Sequence, residues 1–419
     1  MITSLLLAAA QYQLEPIAFI PSTQPEQQLG ASFSELGDVD QDGISDFAIG
    51  SPGQLPESGW GTGQVDVISG ATGAALYRVV PISATHQVDT LLGMAMTVIG
   101  DVNYDGVNEF VVGSLGHVPA YVINGADGSR LLELHNNSSS QYGMQLATVG
   151  DMTGDGLPEI AMGLPNDSSN GFIVSGRLLI YNGADGSLHY EDQGDSNYRQ
   201  LGNMIAAPGD LNQDGIADLI IGGVNGIMMP FNGGFTALNG ADFKPLFSRD
   251  RVQLEHSTVD LDAVGDFNHD GINDFLVTGF QTHPNVAWFQ GITHLMSGAD
   301  GRSLLKIIGD DFEDFGRSST ALGDMNGDGT DDIGVLSFQL NRNWQLQPTV
   351  KILSGNDGSL LSEAATPGFN FFTVNLFPMS DRNGDGRDEL VVAIPENQVG
   401  IDPPNFLPGG EIHAFTLRM

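Results

Sequence analysis

Short hydrophobic runs alternate with polar loops and glycine turns along almost the whole chain, and the same order of runs returns every 50 to 63 residues. One set of runs is almost wholly apolar, as in DFAIG (46–50), EFVVG (109–113) and DLIIG (218–222). Another set alternates apolar and polar positions, as in GQVDVISG (63–70). Runs of this length, rich in β-branched residues and bounded by turn residues, predict short strands. The chain is therefore predicted to be all-β.

Each repeat reads as four strands. The third and fourth runs are joined by turns such as NGADG (124–128) and SGADG (297–301), whose Asn-Gly and Asp-Gly pairs accept the positive φ of tight hairpins. The seventh repeat ends after its third run, at 410–419, while an extended segment at 12–20 precedes the first repeat. A missing strand at one end and a spare strand at the other predict a closed ring, because closure removes exposed sheet edges.

The fold predicted is a seven-bladed β-propeller of four-stranded blades, with the last blade closed by an N-terminal strand. It forms a single domain over residues 11–419, with repeats near 30–80, 91–138, 142–192, 200–249, 258–308, 315–365 and 370–419 plus 11–20. A repeat period in the fifties explains why one domain is expected from a chain of 419 residues.

Between the first and second strands of every repeat lies a nine-residue pattern, Asp-x-Asn/Asp-x-Asp-Gly-x-x-Asp/Glu, in which only the third copy departs, with Thr153 at position three. Alternate oxygen side chains converge on one point when the backbone coils around it, and the glycine at position six permits the turn. Hard oxygen donors in a flexible shell suit Ca²⁺ better than Mg²⁺. The sequence therefore predicts up to seven calcium ions.

Positions one, three, five and nine would supply side-chain oxygens and position seven its backbone carbonyl. The candidate metal ligands are Asp38, Asp40, Asp42, Ile44 and Asp46; Asp101, Asn103, Asp105, Val107 and Glu109; Asp151, Thr153, Asp155, Leu157 and Glu159; Asp210, Asn212, Asp214, Ile216 and Asp218; Asp266, Asn268, Asp270, Ile272 and Asp274; Asp324, Asn326, Asp328, Thr330 and Asp332; Asp381, Asn383, Asp385, Arg387 and Glu389.

The loops allow two other interpretations. A helical calcium hand needs a bidentate Glu at position twelve, where this chain has apolar residues such as Ile49 and Val112, and a strand follows each loop. Asp and Asn also form turns without metal by bonding to their own backbone, and that alternative stays open. The Asp38 loop, with one more carboxylate, is expected to bind calcium most tightly, and the Asp151 loop most weakly.

With these residues in place, the chain resembles proteins built of FG-GAP repeats, the units of the integrin α-chain propeller. Phe315-Gly316 matches the first half of the motif, and Gly50-Ser51-Pro52 and Gly163-Leu164-Pro165 are close to the second. The resemblance covers residues from about 30 to 419, although Thr278-Gly279-Phe280 and Leu336-Ser337-Phe338 depart from the second half. It implies a calcium-dependent extracellular propeller with calcium loops on one face and partner-binding loops on the other.

Charge, cysteine content and the N-terminal segment restrict the partners and the location of the protein. The formal charge of −37 disfavours nucleic acid and anionic membrane surfaces as partners, and no apolar run is long enough to insert into a membrane. No cysteine is present, so neither disulfides nor thiolate metal sites are used. Residues 2–10 (ITSLLLAAA) resemble the apolar part and cleavage site of a secretory signal peptide. The prediction is a secreted or cell-surface protein, monomeric, that binds an extracellular protein or glycan.

Candidate partner-binding residues are the large side chains of the loops between second and third strands: Trp60, Phe231, Trp288, Trp344 and Phe406. Exposed aromatics at a propeller mouth suit a glycan ring or a protein partner, but aromatics also fill gaps between blades. No nucleophile elbow, zinc-binding helix or phosphate loop is found, so an adhesion or recognition module is the first hypothesis. The alternative is a carbohydrate-active enzyme, a polysaccharide lyase or hydrolase, on the same scaffold.

Overall fold

The structure is a computed structural model that describes residues 13–21, 28–55, 59–60, 62–81, 91–114, 119–136, 144–223, 233–254, 256–281, 290–310, 313–340, 346–365, 374–381, 386–395 and 411–418. Its elements up to the fourth blade are β1 (Gln13–Pro21), β2 (Ser32–Gly37), β3 (Asp46–Ser51), β4 (Gln54–Leu55), β5 (Gly59–Trp60), β6 (Gln64–Ile68), β7 (Ala75–Val79), β8 (Ala95–Gly100), β9 (Glu109–Gly113), β10 (Ala120–Ile123), β11 (Arg130–Leu134), β12 (Gln145–Val149), β13 (Glu159–Gly163), β14 (Arg177–Tyr181), β15 (Leu188–Gln193), β16 (Met204–Gly209), β17 (Asp218–Gly223), β18 (Gly234–Leu238) and β19 (Pro245–Arg249). The remaining elements are α1 (Arg251–Leu254), β20 (His256–Ala263), β21 (Phe275–Gln281), β22 (Gly291–Met296), β23 (Ser303–Ile308), β24 (Glu313–Leu322), β25 (Asp332–Leu340), β26 (Leu346–Leu353), β27 (Leu360–Ala365), β28 (Asn375–Met379), β29 (Glu389–Ile394) and β30 (Glu411–Arg418).

These strands form seven four-stranded antiparallel sheets, which are the predicted blades of a β-propeller. The first strand of each blade is innermost, because it contacts the first strands of both neighbouring blades, and β28 contacts β2 to complete the ring. In every blade the acidic loop therefore leaves the inner strand at the same end, and all described acidic loops lie on one face of the ring. The loops between second and third strands lie on the opposite face.

The ring is closed by the N-terminal strand, as predicted. β1 pairs antiparallel with β30 from Gln13 opposite Arg418 to Pro21 opposite Glu411, and the last sheet has the order β1-β30-β29-β28. The first and last parts of the chain thus share one blade, and this pairing covers the outer edge of β30.

Each hydrophobic core lies between two consecutive blades. In β3 the side chains of Phe47 and Ile49 pack toward the last blade, whereas Ala48 packs toward the second blade. The two-residue period of a strand places neighbouring residues on opposite faces of the sheet. An apolar second strand therefore packs against both neighbouring blades, and we call the contact between two consecutive blades a seam. Among the described residues, seven such clusters fill the seven seams between blades. None of the described helices is long and apolar enough to span a membrane.

The two halves of the FG-GAP motif meet across the seams. Gly93, with φ +90°, lies so close to Gly50 of the preceding blade that a Cβ on Gly93 would come within 3.0 Å of the Gly50 Cα. Gly202 and Gly163 make the same approach at the third seam, where the distance would be 2.7 Å. The residue before each of these inner glycines is buried Leu92 or Leu201, in the place of the phenylalanine that gives the motif its name. The first half of the motif is therefore Leu-Gly in the second and fourth blades.

The inner strand of the sixth blade is long and irregular. It is β24, which begins at Glu313 and ends at Leu322. Phe315 to Ser318 forms an irregularity in the pairing with β25, and Gly316 has φ +81° there. Such a bulge interrupts the alternation of residues between the two faces of the strand.

Candidate metal sites and recognition surface

The first residue of each acidic loop organises the coil around it. Asp38 accepts hydrogen bonds from the backbone N–H groups of Asp42 at Oδ1 and Gly43 at Oδ2, both 2.9 Å long. The carboxylate at position one makes the same two bonds in the five following copies, and Asp381 of the seventh accepts from Gly386. The glycine at position six needs its left-handed conformation, with φ +92° at Gly43. Six described loops thus share the coil that points alternate oxygens inward.

The ninth residue has a second task that the sequence did not reveal. Asp46 is fully buried, and its Oδ2 accepts from the N–H groups of Val39 at 2.8 Å and Asp40 at 3.1 Å. Its Oδ1 accepts from Gly70 N, at 2.8 Å, in the turn between the third and fourth strands. The corresponding bonds recur in other blades from Gly240, Gly298 and Gly355. The carboxylate at position nine therefore ties the acidic loop to the neighbouring turn.

Burial changes the titration of these ninth residues. Desolvation is the largest cause that raises the pKa of Glu109, Glu159, Asp218 and Asp274, and it raises the pKa of Asp332 to about 7. Backbone N–H groups oppose the shift at each site. A cation next to these oxygens would favour their charged form.

Position three differs between copies in a way that bears on metal binding. In the second loop, Asn103 Nδ2 donates to Asp105 Oδ2 at 2.9 Å and to Glu109 Oε1 at 3.0 Å. Asn326 bridges Asp328 and Asp332 in the same manner, at 3.1 Å to each. The amide N–H group thus lies between two carboxylates that would ligate a cation, and its donors offset part of their repulsion.

The first loop has no such amide. Carboxylate oxygens of Asp38, Asp40 and Asp42 lie within 4.8 Å of one another. Desolvation, followed by the charges of Asp46, Asp42 and Asp38, raises the pKa of Asp40. Repulsion among oxygens at this separation is relieved by a divalent cation, so the residues present fit calcium.

The third loop offers a poorer set of metal ligands than the other loops. Thr153 Oγ1 donates to Glu159 Oε1 at 3.0 Å, where other loops have an amide or a carboxylate. Oxygens of Asp151, Asp155 and Glu159 nevertheless lie within 4.8 Å of one another, as do those of Asp101, Asp105 and Glu109 in the second loop. These groups could hold a metal ion, and the order of affinity stays a prediction.

A further contact joins the fifth position to the next turn. The side-chain amides of Asn124, Asn182 and Asn239 donate to the carboxylates of Asp105, Asp155 and Asp214, at 3.0, 2.6 and 3.2 Å. Hydrogen bonds from Asn103 and Asn182 are the largest causes that lower the pKa of Asp105 and Asp155, respectively. The sequence marks these asparagines, because an Asn-Gly pair begins the turn between third and fourth strands in three repeats.

The backbone carbonyl at position seven of each loop is predicted to bind the metal. The contacts in the structure involve the backbone N–H of that residue instead. Ile44, Val107, Leu157, Ile216, Ile272 and Thr330 each donate this N–H to the carboxylate at position five. Their carbonyl ligands stay a prediction. Asn383 and Asp385 of the seventh loop lie outside the described residues.

On the face opposite the acidic loops, the third blade presents an ordered apolar surface. Phe172, Ile173 and Tyr198 are 43%, 54% and 41% exposed, respectively. Tyr198 N donates to Ile173 O, and Ile173 N donates to Asn197 Oδ1, both at 2.7 Å, so two loops are bound together. We call Phe172, Ile173 and Tyr198 the recognition surface.

Of the aromatic residues predicted from the sequence to bind a partner, the structure describes Trp60. Trp60 belongs to β5, which pairs with β4 in the loop between second and third strands of the first blade. Phe231, Trp288, Trp344 and Phe406 lie outside the described residues. Their role in binding a partner stays a prediction.

Comparison with known proteins agrees with this geometry. No protein-family model matches the chain. Integrin alpha-5 of Xenopus laevis is 28% identical over 182 residues, which are 39% of this chain and 17% of that protein. Integrin alpha-V of Gallus gallus is 27% identical over 224 residues, 48% of this chain and 21% of that protein. The chain is an integrin-like FG-GAP propeller. The matches cover about a fifth or less of the relatives' length.

The solved structures add support for the fold of this integrin-like propeller. The crystal structure of the V. cholerae biofilm matrix protein Bap1 superposes with a TM-score of 0.50 at 12% identity. The superposition covers 96% of this chain and 90% of that one. At this identity the likeness concerns the fold alone.

Proposed function

We propose that this integrin-like propeller is an extracellular adhesion or recognition module. In it, calcium ions in the acidic loops brace one face, and the opposite face binds a partner protein or glycan. The observation that carries the proposal is the separation of the two kinds of loop. Carboxylates gather at one end of the blades, while exposed Phe172, Ile173 and Tyr198 lie at the other end.

The recognition surface supports this function because it is both apolar and rigidly held. Exposed aromatic side chains are common anchors in protein interfaces. The backbone beneath them is strained, since Val174 and Tyr198 have φ of +50° and +61°. A β-branched residue rarely takes such a φ, and strain of this kind concentrates at functional sites.

Calcium would act on the scaffold rather than on the partner. Asp38, Asp40 and Asp42 are candidate ligands in the first loop, and an ion there would neutralise carboxylates that otherwise repel one another. Because the ninth residue of the first, fourth, fifth and sixth loops bonds to the turn between third and fourth strands, an ordered loop also fixes that turn. Extracellular calcium concentrations suit sites of this kind.

The test is capture on an array of extracellular matrix proteins and polysaccharides, in calcium and in chelator. The double variant Phe172→Ser with Tyr198→Ser is expected to lose at least tenfold in apparent affinity. Leu188→Ser is the matched control, because Leu188 is 51% exposed on the same blade but lies at the opposite end of β15. Undiminished capture by the double variant would contradict the recognition surface, and capture that ignores chelator would contradict a calcium-braced scaffold.

A further inference from the structure

The seven blades can be compared at one position of the inner strand. Six residues before each acidic loop, the inner strand has a residue that pairs directly with a residue of the second strand. These pairs are Ser32 with Gly50, Ala95 with Gly113, Gln145 with Gly163, Met204 with Gly222, Asp260 with Thr278, Ser318 with Leu336 and Asn375 with Ala393. Glycine is the second-strand partner in blades one to four. Blades five to seven depart together, with larger partners and with Asp, Ser and Asn on the inner strand.

Those three polar residues border a single cavity. Asp260, Ser318 and Asn375 line a space of about 190 Å³, together with the residues that precede them, Val259, Arg317 and Val374, and with Phe338. Asp260 and Ser318 lie within the inner strands β20 and β24, and Asn375 begins the inner strand β28. We call this space the mouth cavity.

The donors and acceptors of the mouth cavity are fixed by the neighbouring blades. Asp260 Oδ2 accepts from Ser319 N of the sixth blade at 3.2 Å, which holds the carboxylate at the seam. Asn375 Nδ2 donates to Ala31 O of the first blade at 3.3 Å, which orients the amide. Ser318 has a hydroxyl that both donates and accepts. The lining therefore offers both kinds of hydrogen-bonding group on strands rather than on loops.

The charge of the lining favours a neutral ligand. Asp260 and Arg317 border the same cavity, so an anion would meet the carboxylate and a cation would meet the guanidinium. A ligand with several hydroxyl groups can donate to the carboxylate and accept from the guanidinium. Phe338 and Val374 border the cavity but are buried in the hydrophobic core, so the surface that a ligand meets is mainly polar.

Burial of the Asp260 carboxylate costs free energy, and the repeat does not require a carboxylate at this position. Burial raises its pKa to about 6, whereas the equivalent residues of the other six blades carry no charge. The architecture is evidently compatible with Ser, Ala, Gln, Met or Asn at this position. A half-buried carboxylate in an otherwise neutral set, beside a cavity, is a candidate functional group.

We propose that the mouth cavity binds one neutral sugar residue, with Asp260, Ser318 and Asn375 bonding to its hydroxyls. The volume is below the roughly 300–1,000 Å³ of sites for drug-sized ligands, so a single ring is the appropriate size. This inference rests on the proposed recognition function and specifies a glycan as the ligand class at this site.

The experiment is saturation-transfer NMR on the full chain in calcium, with the methyl glycosides of glucose, galactose, mannose and N-acetylglucosamine as probes. At least one glycoside is expected to receive transfer, with its affinity reduced tenfold or more in Asp260→Asn and in Ser318→Ala. Gln145→Ala is the matched control, because Gln145 has the same repeat position in the third blade, outside the cavity. Unchanged circular dichroism and melting temperature would establish that the variants fold.

Absence of transfer to every glycoside would overturn the sugar site, as would wild-type affinity in both variants or an equal loss in Gln145→Ala. Capture of a protein partner on the array, with no glycoside bound, would likewise overturn it while leaving the recognition function intact. If the array captures nothing while glycosides bind in an Asp260-dependent manner, the sugar site stands and the wider recognition function fails.

Discussion

Replacement of Asp218 by Asn should weaken the propeller even when no metal is bound. Asp218 occupies position nine of the fourth acidic loop and is fully buried. Its Oδ2 accepts from Leu211 N and its Oδ1 from Gly240 N, each at 2.8 Å. The carboxylate thus joins the loop after the first strand to the turn after the third strand. The substitution conserves shape but leaves only one oxygen for two N–H groups.

The expected loss follows from this hydrogen-bond count. An unsatisfied buried N–H group costs about 1–3 kcal/mol, and the asparagine NH₂ would face one such group. The lost charge adds no cost of its own, because burial raises the pKa of Asp218 and so disfavours the charged form. Asp214→Asn is the matched control, since Asp214 is exposed in the same loop and is a candidate ligand without the buried bonds.

The assay is urea unfolding followed by circular dichroism, for both variants and the unaltered chain, in chelator and in calcium. In chelator, Asp218→Asn is expected to lose about 1–3 kcal/mol while Asp214→Asn stays close to the unaltered chain. In calcium, both variants should lose part of the stabilisation that the ion supplies. Equal stability of the two variants in chelator would refute the second, metal-independent task of position nine.

Three further predictions follow from the seams and from closure of the ring. Burial raises the pKa of Asp260 to about 6 and, together with the charge of Asp260, that of Asp262 to about 7. Between about pH 4 and pH 7 the folded protein therefore holds protons that the unfolded chain has released. The melting temperature in chelator should fall as the pH rises through this range. Asp262→Asn should make that fall smaller. Gly93→Ala should cost at least about 1 kcal/mol more in urea unfolding than Gly73→Ala, because both glycines have positive φ but only Gly93 is crowded. Deletion of residues 11–21 should lower the melting temperature by removing β1 from the last blade, and an unchanged value would contradict closure by this strand.

The fold could be predicted because the repeats are regular. Each apolar second strand follows an acidic loop, and in blades one to four its apolar run ends at a glycine, so its place in the unit follows from the sequence. Closure followed from one missing strand at 410–419 and one spare strand at 12–20. Pairing of β1 with β30 confirms that inference.

Features that arise only from register could not be predicted. The bond from Gly70 N to Asp46 joins residues 24 positions apart, and no local pattern marks it. Asp260, Ser318 and Asn375 look like ordinary strand residues until pairing aligns them at one repeat position beside one cavity. The recognition surface likewise depends on a bond between two loops, from Tyr198 N to Ile173 O.

The central claim, that the acidic loops are calcium sites that brace one face, is tested most directly by anomalous scattering from crystals grown in calcium. Peaks are expected between the carboxylates of the loops, all on the face opposite the recognition surface. The loop of Asp38, Asp40 and Asp42 should be the most fully occupied, and the loop with Thr153 the least. Loops without peaks at saturating calcium, or occupancies in the reverse order, would contradict the account.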